Sequence, residues 1–321
     1  MRRQLEVLRI LADGRFHSGE AVAARLGISR ALVWKALKSL ETLGVEVHAV
    51  RGRGYRLAQP LELLDVDLIR DALGAAADRL ERLELLDQVD STNAYLLAQA
   101  GAAPHACLAE HQHAGRGRRG RQWVSPFGAN LYLSLSWPFD SRPLEGLSLA
   151  VAVALMRSLH RAGAEGLGLK WPNDVLWQGR KLGGILLEMS GEAGGAMRAV
   201  VGIGLNLHMP RSTAGIDQPW TDLQSVLGRP CSRNRIAGEL LNELVDALEA
   251  FAGAGMQPFM DEWAAYDLAY DRPIELHLPD RVVAGVARGI DETGALLVAH
   301  GDTLQRYFSG EVSLRMTAAT P

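Results

Sequence analysis

Apolar residues recur at helical spacing at Leu5, Leu8, Ile10 and Leu11, and the stripe ends at Asp13-Gly14, where turn formers cluster. Ser18 is a good N-cap for a second helix through Leu26. Gly27 permits a tight turn, Ile28 packs inward, and Ser29 caps a third helix running to about Leu43. In that helix Leu32, Val33, Ala36, Leu37 and Leu40 are apolar, while Arg30, Lys35 and Lys38 lie among them, so an inner core face and an outer basic face are expected. Residues 45–57 then read as strand, turn and strand, with Arg51-Gly52-Arg53-Gly54-Tyr55-Arg56 at the tip, where glycine supplies the positive φ of a tight hairpin. Helices, caps and basic hairpin in this order predict a winged helix-turn-helix.

Ala58-Gln59-Pro60-Leu61 breaks the pattern, because proline lacks the N–H that a helix or strand interior uses. From about Leu83 strand patterns at 107–110, 130–137, 167–171, 175–177, 182–189 and 198–207 surround a helix at 144–161, which predicts an α+β fold. Residues 232–254 form a long amphipathic stripe through Ile236, Leu240, Leu241, Leu244, Leu248 and Phe251, with a second helix to about Tyr266. Short alternating strands at 274–278, 282–286, 296–298 and 312–314, separated by Gly/Asp turns, then suggest a small β-barrel. The expected organisation is a unit at 1–60, a central domain at 65–270 and a terminal domain at 271–317.

A length of 321 residues with 48% hydrophobic content is consistent with two or three domains. No stretch approaches the roughly 20 apolar residues needed to cross a bilayer, so a cytoplasmic protein without membrane association is expected. Cys107 and Cys231 are far apart and lack metal-ligand spacing, which argues against a disulfide framework or a zinc site. The net charge of −3 conceals an asymmetry: residues 1–58 carry eleven Lys/Arg against five Asp/Glu, a local +6 that leaves −9 for the rest. That end suits an anionic partner. Ser29, Arg30 and Lys35 on the third helix and Arg51 and Arg53 on the wing are the candidate contacts to DNA, the arginines reaching phosphate or the minor groove. One chain grips one half-site, so specific DNA binding calls for a homodimer.

The most informative segment is Gly115-Arg116-Gly117-Arg118-Arg119-Gly120-Arg121. Its glycines bring backbone N–H groups close to an anion, and its arginines offer bidentate phosphate contacts on a mobile loop. It lacks the spacing and the Gly-Lys-Ser/Thr ending of a P-loop, and no strand precedes it in the Rossmann manner.

Together with Gln112 and that loop, Asp90-Ser91-Thr92-Asn93, Lys170-Trp171-Pro172-Asn173-Asp174, Lys181-Leu182-Gly183-Gly184-Ile185-Leu186 and Gly202-Ile203-Gly204-Leu205-Asn206-Leu207 resemble, in order and spacing, the biotin-protein ligase family. With the N-terminal helix-turn-helix the resemblance covers nearly the whole chain and points to the bifunctional ligase and biotin operon repressor. Gly183 stands where other members often carry alanine. The resemblance implies a class II synthetase-like central domain with a mixed sheet and an SH3-like terminal barrel. It also implies ATP and biotin as substrates, Mg²⁺ as cofactor, and a biotin carboxyl carrier protein, operator DNA and a ligand-promoted second copy as partners.

The implied chemistry has two steps. Biotin carboxylate attacks the ATP α-phosphate to give biotinyl-5'-adenylate, and an acceptor lysine then attacks that mixed anhydride. No covalent enzyme nucleophile is needed; cations and backbone donors must hold two anions together. By resemblance, Ser91, Thr92, Asn93 and Gln112 bind the ureido ring and neighbouring groups, although Ser91 to Asn93 also read as a helix N-cap. Arg116 and Arg118, with Gly115 and Gly117 giving backbone approach, contact biotin carboxylate or adenylate phosphate. Lys181 bridges carboxyl and phosphate oxygens and is the leading catalytic candidate beside Arg116 and Arg118. Lys170, at the end of an apolar strand, needs an anion or a carboxylate partner; Asp174 is a candidate for that pairing or for a Mg²⁺ ligand. Lys170, Asn173 and Asp174 fall in the nucleotide-binding set. Asn206 resembles the residue that reads adenine, with a satisfied core amide as the alternative. Gly184 and Gly204 are expected to leave room for ligand. Residues 209–222 look like a loop able to order over adenine, with Trp220 either stacking there or anchoring the loop. Glu311 and Arg315 match the final strand and point to ATP phosphates or a local ion pair. Arg119 and Arg121 are either solvated or at a dimer face.

Two rival functions share many of these residues: a ligand-sensing transcription factor that binds without catalysis, and a lipoate ligase. Intact Lys181 and a complete Gly-Arg loop argue against the first. The sequence around Gly115 does not resemble the loop of the second.

Overall fold

The computed structural model describes residues 2–41, 43–101, 103–140, 143–191, 197–210, 213–310 and 312–316. Helices α1 (Arg2–Leu11), α2 (Gly19–Leu26) and α3 (Arg30–Glu41) precede a two-stranded antiparallel wing, β1 (Val47–Val50) and β2 (Gly54–Leu57). Ser18 caps α2 by accepting from the Ala21 N–H, and Gly27 ends that helix in the left-handed region at φ 61°. Val33, Ala36, Leu37 and Leu40 of α3 are buried with Leu5, Leu8 and Leu11 of α1, whereas Leu32, expected on the inner face with them, turns outward and is exposed because it lies off the i, i+3, i+4, i+7 stripe that Val33 begins. Gly54 brings the wing against the turn after α1: a Cβ there would lie 2.1 Å from the His17 carbonyl oxygen. His17 and Tyr55 exchange two backbone hydrogen bonds at that contact.

Two helical segments outside the expected elements follow the linker. Asp65 caps α4 (Val66–Leu73), which continues into a 3-10 turn at Gly74–Arg79. The main body is a seven-stranded mixed sheet, made from β3 (Arg82–Leu86), β4 (His105–Ala109), β5 (Leu131–Phe139), β6 (Leu167–Lys170), β7 (Asp174–Trp177), β8 (Arg180–Gly191) and β9 (Met197–Leu205). Its strand order is β3-β4-β5-β9-β8-β7-β6. Helix α5 (Thr92–Ala98) lies on one face, while α4, α6 (Leu147–Arg161) and α8 (Arg233–Ala254) cover the other. Both faces are covered, so the strands read as nearly continuous apolar runs. On β9 the alternation still shows: Val201, Ile203 and Leu205 join the helical core, whereas Val200 packs under α5 and Gly202 and Gly204 lie on the α5 side with it.

After a short helix α7 (Leu223–Leu227) and, beyond α8, a helix α9 (Met260–Tyr266), the chain forms β10 (Pro273–His277), β11 (Val282–Ile290), β12 (Leu296–His300), β13 (Thr303–Tyr307) and β14 (Ser313–Met316). Their order is β13-β12-β11-β10-β14, an open antiparallel sheet whose two outer strands do not pair, in place of the closed barrel expected. β13 escaped the sequence reading because four of its five residues are exposed and it has no apolar face to betray it. Ile274, Leu276, Leu296 and Leu314 join the same core as the central sheet. No described helix is long and apolar enough to cross a membrane, and the two cysteines are free.

The linker is held by a buried polar knot. The Arg233 guanidinium, at the start of α8, pairs with Glu110 at 2.8 Å and donates to the carbonyls of Glu62 and Asn130. Glu110 accepts from the Leu64 N–H at 2.6 Å, and Glu62 accepts from the Arg233 N–H and the Ser232 hydroxyl. Beside the knot, Phe127 of the central body is buried in the N-terminal core with Leu61 and Leu63 against it. Removing one member of a buried ion pair strands the other charge, which costs about 3–5 kcal/mol. Arg233→Met is therefore expected to lower unfolding stability by about that amount in urea denaturation, while adding Glu110→Gln should recover part of the loss. Additive losses would show that the two charges do not depend on one another.

Candidate ligand-binding site

A cavity of about 630 Å³ opens on the α5 side of the sheet, and it gathers Ser91, Thr92, Asn93, Gln112, Arg116, Gly117, Arg118, Lys170, Asn173, Asp174, Lys181, Asn206 and Trp220 along its walls. Its floor is glycine. A Cβ on Gly202 would lie 2.2 Å from Asn93 Oδ1, and one on Gly204 would lie 2.3 Å from Trp123 Cε2. The space left by Gly204, and part of that beside Gly184, is occupied by the Trp123 indole, which stands where room for ligand was expected. Trp123 was missed. Its signal was only its place directly after the Gly-Arg loop and the glycines it would need beneath it.

One end of the cavity is neutral and hydrogen-bonded. Ser91 caps α5 by accepting from the Ala94 N–H. Gln112 Oε1 accepts from the Thr92 N–H at 3.0 Å and its Nε2 donates to Ser125 Oγ at 3.1 Å, fixing the amide orientation. Asn93 Nδ2 donates to Glu188 and to the Leu186 carbonyl, and Ser134 Oγ lies 2.5 Å from Asn93 Oδ1. These side chains are buried, and a buried polar group lacking a partner would be costly, so the set is preorganised by its own bonds.

The other end is cationic. Lys181 Nζ pairs with Asp174 Oδ1 at 2.8 Å and lies 5.5 Å from the Trp123 ring. The carboxylate considered as a partner for Lys170 therefore pairs with Lys181, although Lys170 and Asp174 are register partners across β6 and β7. Burial pulls the Lys170 ammonium below its ordinary value, with the attraction of Asp174 acting the other way. Asn206 is buried and donates to the Thr221 carbonyl at 3.0 Å, while the Lys181 backbone exchanges bonds with residues 219 and 221. The amide nitrogen of Asn206 thus ties the sheet end to the loop bearing Trp220.

The Gly-Arg loop closes one side. Arg116 pairs with Glu188 at 3.3 Å. Arg118 donates to Asn173 Oδ1 at 3.0 Å and reaches the carbonyls of Ser309 and Gly310, the latter at 2.6 Å, so the terminal sheet holds the loop's central guanidinium. Burial lowers the Arg118 pKa against the attraction of Asp174. Gly115 sits behind the loop, where a Cβ would lie 2.5 Å from the Trp123 carbonyl oxygen. Arg315 lines an adjoining basic recess with Arg119 and Arg121; Glu311 lies outside the described residues. Among the described residues no group of three or more His, Cys, Asp or Glu side chains is placed to hold a metal ion.

The candidate DNA contacts lie elsewhere, on the N-terminal unit. Ser29 caps α3 through the Leu32 N–H, Arg30 pairs with Glu20, and Lys35 is exposed. Arg51 and Arg53 are exposed at the wing tip, where the Arg53 guanidinium stacks 4.2 Å from the centre of the Phe16 ring.

Comparison with known proteins places three matches in order along the chain: an HTH domain at residues 3–56, the biotin/lipoate A/B protein ligase family at 85–206, and the biotin protein ligase C-terminal domain at 271–315. The bifunctional ligase/repressor BirA of Salmonella typhimurium is 42% identical over 97% of both chains, and that of Bacillus subtilis 30% identical over 98% of both. A biotin protein ligase from Aquifex aeolicus, solved with biotin and ATP, superimposes with a TM-score of 0.66 at 27% identity, covering 74% of this chain and all of the other. A helix-turn-helix, a ligase core and a ligase terminal domain in one chain, related over almost its whole length to proteins of the same build, make this chain a member of the bifunctional biotin protein ligase and repressor family.

Proposed function

We propose that the chain activates biotin with ATP, passes it to a lysine of a biotin carboxyl carrier protein, and represses transcription with biotinyl-5'-adenylate as corepressor. The observation that carries the reading is a single cavity with a neutral, hydrogen-bonding end and a cationic end. The neutral end, Ser91 to Asn93 with Gln112, suits the ureido ring, and its carboxylate-bearing chain would then run toward Arg116, Arg118 and Lys181. The carboxylate oxygen attacks the α-phosphorus and pyrophosphate leaves. Lys181 bridges the two anions as they meet, Lys170 and Asn173 flank the phosphates, and Asn206 and Trp220 frame the base. The carrier lysine amine then attacks the acyl carbon and AMP leaves.

Magnesium enters this reading as part of the MgATP substrate. A magnesium ion bound to phosphates keeps several waters and needs few protein oxygens, in keeping with a cavity where Asp174, paired with Lys181, is not part of any described cluster of three metal-ligating side chains. For the regulatory half, adenylate that orders the loops around the cavity favours a second copy and so presents two wings to a two-fold operator. The DNA-binding unit spans 1–60, the ligase domain 65–270 and the terminal domain 271–317.

Lys181→Ala is expected to slow biotin-dependent ATP–pyrophosphate exchange by about a hundredfold or more, the scale of losing one preorganised charge at a reacting centre; an undiminished rate would refute its role. Gly204→Ala should push the Trp123 indole into the cavity and weaken biotin binding about tenfold, since overpacking costs ~1–3 kcal/mol. Calorimetric titration reads this, and equal affinity would show that the indole is free to move aside. Incubation with biotin, MgATP and a carrier domain should add one biotinyl mass to one lysine, with lipoate failing in its place. Operator binding that ignores added biotin and MgATP would count against the corepressor role.

A further inference from the structure

The outer face of α3 carries a residue that its basic composition does not account for. Trp34 is 55% exposed and stands apart from the N-terminal core, to which α3 contributes Val33, Ala36, Leu37 and Leu40. Arg30, Trp34 and Lys38 are spaced four apart and so form one column along the helix. Each flanking cation is held by a carboxylate, Arg30 by Glu20 at 3.1 Å and Lys38 by Glu41 at 3.2 Å. An indole presented between two tethered cations, on a helix followed by a wing bearing exposed Arg51 and Arg53, is matched in charge and shape to a polyanion with an apolar feature between its phosphates.

We propose that Trp34 is a base-reading, specificity-determining residue of this chain, seated in the major groove against a thymine 5-methyl group. The proposal rests on the DNA-binding role of the N-terminal unit. Residues in the N-terminal part of a recognition helix meet base edges, and Trp34 is the fifth residue of α3. Its ring offers a large apolar surface, and its single N–H is a donor without an acceptor. In the major groove the thymine methyl is the apolar feature, and acceptors lie beside it at thymine O4 and purine N7. The cations of the column and wing supply phosphate attraction, which carries no sequence information; the indole adds the discrimination.

The test uses the full chain with biotin and MgATP. A duplex is first selected from a randomised library, and its thymines are then replaced one at a time by uracil, which removes only the methyl. Wild type should lose roughly fourfold in affinity at one thymine of each half-site, the worth of a buried methyl-sized group. Trp34→Ala should bind the selected duplex at least about fivefold more weakly, become indifferent to that methyl, and keep the salt dependence of its binding to random duplex. Trp34→Phe should retain part of the methyl sensitivity. An unchanged melting temperature of Trp34→Ala checks that the fold is intact. Equal affinity with methyl sensitivity preserved would overturn the assignment of Trp34 while leaving DNA binding in place. Failure of the library to yield any preferred sequence would overturn both.

Discussion

Everything at the ligand site depends on backbone that carries no side chains. Gly202 and Gly204 stand on the sheet face where Asn93 and Trp123 lie down against the strands, at distances a Cβ would not permit. With those two side chains seated, the neutral and cationic ends fall on either side of a common floor. The same stretch of β9 sends Val201, Ile203 and Leu205 into the helical core, so one strand serves stability on one face and binding on the other. The floor of the site therefore rests on a rigid element, while the Gly-Arg loop and the segment bearing Trp220 add walls from loops.

That lid is tied down from outside the central sheet. Arg118 ends on carbonyls of residues 309 and 310, just before the last strand. A guanidinium offers five donors in a fixed fork, enough to join the loop, Asn173 and the terminal sheet through one side chain. The terminal sheet shares its core with the main body, so it contributes both packing and an anchor for the charge that faces the ligand.

The winged unit was legible because helix stripes, caps and a glycine hairpin are local signals, each with its own physical cause. The gathering of the Gly-Arg loop, Lys170 and Lys181 along one cavity was foreshadowed for a similar reason, since cations beside glycine stand out in strand-rich sequence. What stayed hidden was decided by tertiary packing. β13 has no apolar face, and the closure of the terminal strands depends on which edges meet, which no local pattern records. Two pairings were similarly out of reach: Asp174 with Lys181 instead of Lys170, and the indole of Trp123 over Gly204. The second joins segments distant in the chain, and the first depends on the register of the β7–β8 hairpin, which shifts between Val175 and Leu176.

Phe127 binds the two halves of the molecule in a way their separate chemistries would not suggest. It follows Ser125, whose hydroxyl accepts from Gln112 in the ligand cavity, yet its own ring lies in the core of the winged unit. A hydrophobic plug that belongs to one module and fills another makes modularity incomplete. Were evolution or an engineer to shed the first sixty residues, the remnant would be left with a greasy stub three positions from Val124 on the cavity wall, and would have to re-clothe it before the enzyme could stand alone.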